Sequence, residues 1–519
     1  MQKTTARANA RRTSLGRALA VSMATLILSG CAMTSVPSAS FRDGDAPQLP
    51  DRWRSHVSTA AATVEAVTAD WWRAFGSAEL DALVAQAQAQ SLDIAAAVAR
   101  VQQAGATARI AGAALQPELT LAFDAQREGR LGGQAYVDGS SYAAGLSARY
   151  EVDFWGGKRA ARDGALAGLQ AGVFDRDTVV LTTTAAVASN WLQAVALQTR
   201  IDVAGHNLRD ASALLRLVEA RGRAGAALPL ELAQQRGLVA SQRRAIAALR
   251  QQAADAQSRI AVLLGRTPAQ LAQGATLSAP GASDGMPDPN APHTPHAPND
   301  RRDPLEALHV PAIDAGLPSS LLLRRPDIAR AEARLASADA NVAVARAAML
   351  PSLSLGLGIG WDSTRLRSVF DNPVYTLAAG LAAPVFDAGR LAAGHALAQA
   401  QREELLASYR SAIVAAFADA ETALNAVAGT DAQAAAQADE LAQAQRARAL
   451  AETRYRAGAD TLLTLLDAQR TLYAAQDLAA SLKEARLQAR VALYKALGGG
   501  WQPTTDARPV AVATKRATP

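Results

Sequence analysis

The chain's one cysteine, Cys31, follows Leu28, Ser29 and Gly30 at the end of an apolar stretch running from Ala18 to Leu28. Lys3, Arg7, Arg11, Arg12 and Arg17 precede that stretch, with no acidic residue among them. The stretch is too short to span a bilayer but suits the apolar region of a secretory signal. The pair Arg11-Arg12 is weak support for a twin-arginine signal in so basic a segment. Other reactive side chains do not converge. The 6 histidines are scattered, and His293 and His296 have no cysteine or carboxylate cluster to complete a ligand set. No phosphate loop or catalytic triad is present, and neither Gly132-Gly133 nor Gly498-Gly499-Gly500 sits between a strand and a helix. No catalytic residue, metal site or cofactor is expected, and the chain does not read as an enzyme. The formal charge of +6 is concentrated in the leader, leaving the remainder near neutral. That balance gives no general attraction to phosphate and excludes nucleic acid as a partner.

The segment Leu28-Ser29-Gly30-Cys31, with small residues before the thiol, resembles the bacterial lipobox, a resemblance that implies lipidation at Cys31. An ordinary cleaved signal with an incidental cysteine is the alternative. By resemblance to bacterial lipoproteins, Ala32 in place of aspartate after the modified residue implies the outer membrane. Two or three acyl chains would anchor the chain stably, at about 0.8 kcal/mol per buried methylene.

What such an anchor would hold is a duplicated unit. Setting Asp93 against Asp327 gives 14 identities over the 29 positions from 93 to 121. Asp93, Ile94, Arg100, Pro117, Leu119 and Leu121 are the matches that do not involve alanine. Further on, Phe154-Trp155-Gly156-Gly157-Lys158 faces Phe386-Asp387-Ala388-Gly389-Arg390. Arg223-Ala224-Gly225 faces Arg456-Ala457-Gly458, and Leu264-Gly265 faces Leu497-Gly498. The offset stays between 232 and 234, so the copies differ by almost no insertion. Residues 274–304 carry 7 prolines among Gly, Asp, Asn and His, which cannot form a packed core. The expected organisation is a signal peptide over 1–30, a lipidated extension over 31–70, a first repeat over 71–273, a linker over 274–304, a second repeat over 305–501, and a tail over 502–519.

Proline spacing sets the elements within each repeat, because an interior proline costs a helix about 3 kcal/mol. None occurs from 118 to 228 or from 385 to 502. Long helices are expected over about 158–222 and 390–456, each on the order of 100 Å at 1.5 Å per residue. Return helices are expected over about 229–264 and 461–497. In the last of these Leu466, Tyr473, Ala480, Leu487 and Tyr494 repeat every seven residues, as in a coiled-coil seam. Gly225 and Gly458 suit helix C-caps, and Pro229 and Asp460 suit the next helix start. Period-two alternation marks strands: Leu353, Leu355, Leu357, Ile359 and Trp361 with a partner over about 374–383, and Leu119, Leu121 and Phe123 followed by Tyr142, Leu146 and Tyr150. The stretches 127–141 and 362–373 read as loops.

Four strands cannot close a membrane barrel, and open edges are not tolerated in hydrocarbon. The chain must therefore oligomerise, to a multiple of four strands, as a pore continued by a helical tube. The rival of another class, a structural coiled-coil lipoprotein of the envelope, leaves the strands unexplained.

Several stretches together resemble the TolC-like outer membrane factor family, the exit ducts of tripartite efflux pumps and of type I secretion systems. They are Leu322-Leu323-Arg324-Arg325-Pro326-Asp327-Ile328 with Ala331-Glu332, Tyr150-Glu151-Val152-Asp153-Phe154-Trp155-Gly156, Tyr455-Arg456-Ala457-Gly458, Leu465-Leu466-Asp467-Ala468-Gln469-Arg470, and Leu493 through Trp501. The nearest likeness is to the lipoprotein branch serving resistance-nodulation-division pumps. The resemblance implies a mainly helical homotrimer, with a 12-stranded transmembrane β-barrel continued by a 12-helix periplasmic α-barrel. It implies passive conduction of small molecules such as drugs, with a periplasmic adaptor and an inner-membrane pump as partners. A type I protein-secretion duct is the alternative within that class. Arg223, Gly225, Arg456 and Gly458 match the family's adaptor-contact tips. Leu463 and Asp467 match its periplasmic gate, where symmetry makes each a ring, and three facing carboxylates repel one another and attract cations.

Overall fold

A computed structural model describes residues 50–54, 67–129, 131–132, 138–273 and 305–502. The expectations for Cys31, the signal, the linker with His293 and His296, and the tail beyond 502 lie outside the described residues.

Two short helices open the first repeat, α1 (Ala78–Gln90) and α2 (Leu92–Ala113). Ser77 starts α1, its Oγ accepting the Leu80 N–H at 3.2 Å. Helix α2 leads past Pro117 into strands β1 (Glu118–Gly129) and β2 (Asp138–Val152). The chain then turns into α3 (Gly157–Arg223), which is followed by α4 (Pro229–Leu263). The second repeat has α5 (Pro326–Ala347), β3 (Ser352–Ser363), β4 (Pro373–Ala382), α6 (Arg390–Arg456) and α7 (Leu462–Ala496). Helices α2 and α5 are 22 residues each, α3 and α6 are 67, and α4 and α7 are 35. The strands run further than the alternation alone suggests. Gln126 pairs with Ser141 and Arg127 with Ser140, so much of 127–141 is ladder and not loop.

The four strands make one antiparallel sheet in chain order, joined across the repeats by β2 and β3. One row reads Leu121, Leu146, Ile359, Tyr375 and another Leu119, Ala148, Leu357, Leu377. Alternate rows carry Thr120, Ser147, Gly358 and Thr376, or pair Glu151 with Ser354. One face is therefore apolar and the other polar, yet Leu121, Tyr375 and Leu377 are more than 70% exposed. An apolar sheet face in a single chain has lipid as its natural cover, and the polar face suits water. Strands β1 and β4 each have one unpaired edge.

The sheet passes into each long helix through matched turns. Asp153 accepts the N–H groups of Lys158 and Arg159 at 2.9 and 3.0 Å, and Asp387 accepts those of Gly389 and Leu391 at 3.0 and 2.9 Å. These carboxylates satisfy orphan donors at a helix N-terminus. At 67 residues α3 and α6 are about three times longer than a bilayer needs. Less than half of each helix's apolar window is buried against neighbouring helices of the same chain. The largest core lies midway, where Trp71 stacks on Tyr494 at 5.0 Å and Leu80, Leu192, Leu424 and Leu487 are buried. Each repeat closes on itself beside that core: the added Cβ of Gly498 would lie 1.9 Å from the Arg324 carbonyl oxygen, and that of Gly265 would lie 2.5 Å from the Gln90 carbonyl oxygen. All five heptad residues of α7 are buried.

Candidate functional site: tunnel tips and aperture

Each long helix ends in a left-handed glycine that turns the chain back. Gly225 has φ 72° and Gly458 φ 71°. At the first tip the Ala226 N–H reaches the Arg221 carbonyl at 2.8 Å. At the second, the Ala459 N–H reaches the Arg454 carbonyl at 2.9 Å. This pattern satisfies the last helix carbonyls and leaves the glycine on the surface. Arg223, Gly225, Arg456 and Gly458 are all exposed, at the far end of the hairpins from the sheet.

The two tips differ in chemistry. The first begins α4 with Pro229, and the Leu228 N–H is taken by Glu231 at 3.0 Å, leaving Leu228 and Leu230 more than 60% exposed. The second is polar. Arg454 pairs with Asp460 at 3.2 Å and Arg456 with Glu452 at 2.6 Å. Asp460 does not cap α7 itself: the boundary residue is Thr461, and Asp460 Oδ1 accepts from the Thr461 N–H and the Thr464 hydroxyl, both at 2.8 Å. Those hydrogen bonds, Thr464 foremost, hold the Asp460 carboxyl below its ordinary range.

Leu463 and Asp467 follow on α7. Leu462, Leu465, Leu466 and Gln469 are buried against the rest of the chain, whereas Leu463 is 59% exposed and Asp467 is also exposed. A spacing of four puts the exposed pair on one face, turned away from the hairpin's own packing. No hydrogen bond or ion pair holds the Asp467 side chain among the described residues. The equivalent pair in the first repeat is Leu230 and Gln234, so the charge belongs to one hairpin only.

Sequence reasoning missed the ties between hairpins. Arg200 on α3 grips Asp477 on α7 through two hydrogen bonds of 2.7 and 2.9 Å. Arg448 on α6 reaches Asp210 on α3 at 3.6 Å, and the Arg221 guanidinium lies 5.1 Å above the Tyr455 ring. The partners of the first pair are 277 residues apart, so only knowledge of which hairpin lies beside which would have revealed them. Among the described residues no group of three or more metal-ligating side chains converges.

The arrangement is a conduit: a sheet apolar on one face, continued by paired hairpins whose ends carry solvent-exposed caps. The model of the outer membrane efflux protein family matches residues 83–266 and 317–499, one match per repeat. The chain is 47% identical over 504 residues to the pyoverdine export outer membrane protein OpmQ of Pseudomonas putida, covering 95% of this chain and 100% of the relative. It is 28% identical to the cation efflux system protein CusC of Escherichia coli K12, over 83% of this chain and 89% of that one. Among solved structures, a crystal structure of CusC superposes with a TM-score of 0.72 at 27% identity, covering 89% of this chain and all of that one. The outer-membrane channel OprN gives 0.72 at 26%, over 88% and 99%. The shared fold is the trimeric barrel continued by a helical tunnel, of which this four-stranded sheet and its two hairpins are one third. The proteins of this family are channels and not enzymes. With both repeats matched and a relative aligned along its entire length, the chain belongs to the outer membrane efflux protein family, the outer-membrane channels of tripartite efflux pumps.

Proposed function

We propose that three copies of this chain, each anchored by a lipid on Cys31, form the exit duct for a small molecule delivered by an inner-membrane pump of the resistance-nodulation-division class. A periplasmic adaptor docks on the tips at Arg223, Gly225, Arg456 and Gly458, and Leu463 and Asp467 form the ring that closes the tunnel between transport events. Two relatives at 47% and 46% identity, both described as pyoverdine export proteins, favour a siderophore as cargo. The observation that carries the reading is the single sheet with an apolar face and two open edges, since such a sheet is stable in lipid only when copies of itself complete the ring.

The duct itself does no chemistry. It supplies a water-filled path, and the gradient-driven step belongs to the pump. The purified, lipidated chain is expected to migrate as a heat-modifiable trimer and to conduct in planar bilayers. A monomeric, impermeable product would end the proposal. Cargo is tested separately, by asking whether the chain restores siderophore secretion in a Pseudomonas strain lacking its relative. Assembly without secretion would reject the siderophore and keep the channel.

A further inference from the structure

Arg100 and Arg334 are one arginine retained in both repeats, 234 residues apart, and neither the tips nor the aperture accounts for them. They sit at equivalent places on α2 and α5, both exposed. Neither makes a hydrogen bond or ion pair among the described residues. Most other interhelical arginines nearby are matched: Arg330 pairs with Asp175 at 2.6 Å, and Arg402 with Asp339 at 2.5 Å. Two solvated guanidiniums in no ion pair stand out against that background.

Both line one hollow of about 520 Å³. Small residues of α3, Gly168, Ala171 and Gly172, line it too, and an added Cβ at Gly168 would meet nothing within 4 Å; Asp175 also lines it, its carboxylate already taken by Arg330. Glu404 on α6 lines the far side, also without a partner among the described residues, and Asn341 and Gln401 add hydrogen-bonding groups. Helices α2, α3, α5 and α6 pack in that order, so α2 and α6 are not neighbours. A single depression shared by all four can exist only on the concave side of the arc they form. When three such arcs surround one axis, the concave side is the lumen.

We infer that Arg100 and Arg334 form a belt on the lumen wall of the barrel-proximal tunnel that attracts and orients cargo bearing carboxylate or phosphate groups. In a trimer the belt holds six guanidiniums against three Glu404 carboxylates, with the Arg330–Asp175 pairs neutral. Guanidinium groups in a narrow water-filled passage raise the local concentration of anions and offer bidentate hydrogen bonds to planar oxyanions. Glu404 tempers the attraction, so anions are held weakly enough to leave, as conduction requires. The inference rests on the proposed three-chain duct and names the class of cargo its wall favours.

The test uses the full-length protein in detergent and pyranine, a trisulfonated dye, followed by fluorescence anisotropy at low salt. Wild-type trimer is expected to bind the dye. The double variant Arg100→Gln with Arg334→Gln is expected to bind roughly a hundredfold more weakly, the loss of two charge-assisted contacts per hollow at about tenfold each. Glu404→Gln is expected to bind about threefold more tightly. Both arginines are exposed and unpaired, so the double variant should still assemble. Unchanged affinity in an assembled double variant overturns the belt. Were that variant not to assemble, Glu404→Gln decides, and an affinity equal to wild type overturns the belt as well. A wild-type protein that forms no trimer counts against the duct instead, and size measurement tells the two failures apart.

Discussion

The first and second hairpins have helices of the same lengths, 67 and 35 residues, and end in glycines with φ values one degree apart, yet their charges are placed differently. Asp431 on α6 is held by Arg486 at 2.9 Å and Arg490 at 2.7 Å, both from α7. The matching positions of the first hairpin are Gln198, Ala253 and Gln257. Arg325, which grips Asp327 and Asp419, matches Ser91. Asp467 matches Gln234. The two hairpins share their backbone geometry where the chain turns back, and differ in the charged side chains between their helices. Among the described residues, only the second hairpin holds its two helices through one carboxylate shared by two arginines.

The largest effects should come from the geometry that both repeats share. Gly498 has φ 88°, and an added Cβ would overlap the Arg324 carbonyl oxygen, which is backbone and cannot step aside. Gly498→Ala should cost more than about 4 kcal/mol and abolish assembled trimer on a heat-modifiability gel. Gly265→Ala should follow in direction with a smaller loss. Nothing lies within 4 Å of the equivalent atom at Gly225 or Gly458. Alanine there should cost only the left-handed backbone term of about 1 kcal/mol, leaving assembly intact. If Gly225→Ala also prevented assembly, the tips would be structural keystones and not exposed rims.

Next in size is the aperture. If Leu463 and Asp467 form the proposed aperture, Asp467→Ala removes its carboxylates, and the conductance of reconstituted channels should rise several-fold. The matched change Gln234→Ala should leave conductance where it was. Equal responses from the two positions would dissolve the asymmetry, and an unchanged Asp467→Ala channel would remove the gate assignment.

Much of this architecture was legible beforehand. Absence of proline over a hundred residues at a time announced the long helices, and strict alternation from Leu353 to Trp361 announced a strand, because each reflects a local backbone rule. Strand ends were harder. Arg127 and Ser140 are polar, and their pairing is dictated by the ladder behind them and not by their own alternation. Leu463 and Asp467 were named only through family likeness; what the structure adds is that both are exposed on one face of α7. Arg200 with Asp477, and Arg448 with Asp210, were invisible, since a salt bridge between helices leaves no trace in either helix's sequence.

Those ties predict a smaller effect. Arg200→Ala loses a two-bond contact that is partly exposed, worth about 1 kcal/mol. Hydrogen exchange in the middle of α7 should quicken by about fivefold, with α4 changing less. Equal quickening in both return helices would mean the pair braces the whole bundle and not the second hairpin.

Acid offers the finest test. Burial favours the neutral form of Asp327, but hydrogen bonds and charge from Arg325 outweigh it and lower its pKa. Asp431 behaves alike: burial pushes its pKa up, and Arg490 and Arg486 pull it down further. A carboxylate whose pKa is lower folded than unfolded contributes stability above its ordinary pKa, and that contribution disappears as pH falls through the folded value. Both groups lie in the second repeat and are partly screened by solvent, so each is worth about 1 kcal/mol. Lowering the pH from neutral through the ordinary aspartate range and below it should therefore raise hydrogen exchange in α6 and α7 before α3 and α4. Asp431→Asn should abolish most of that lead at α7, because an amide keeps its shape and has no proton to gain. Loosening that began in the first hairpin, or that Asp431→Asn left untouched, would show that the charges of the second hairpin do not govern its hold on the ring.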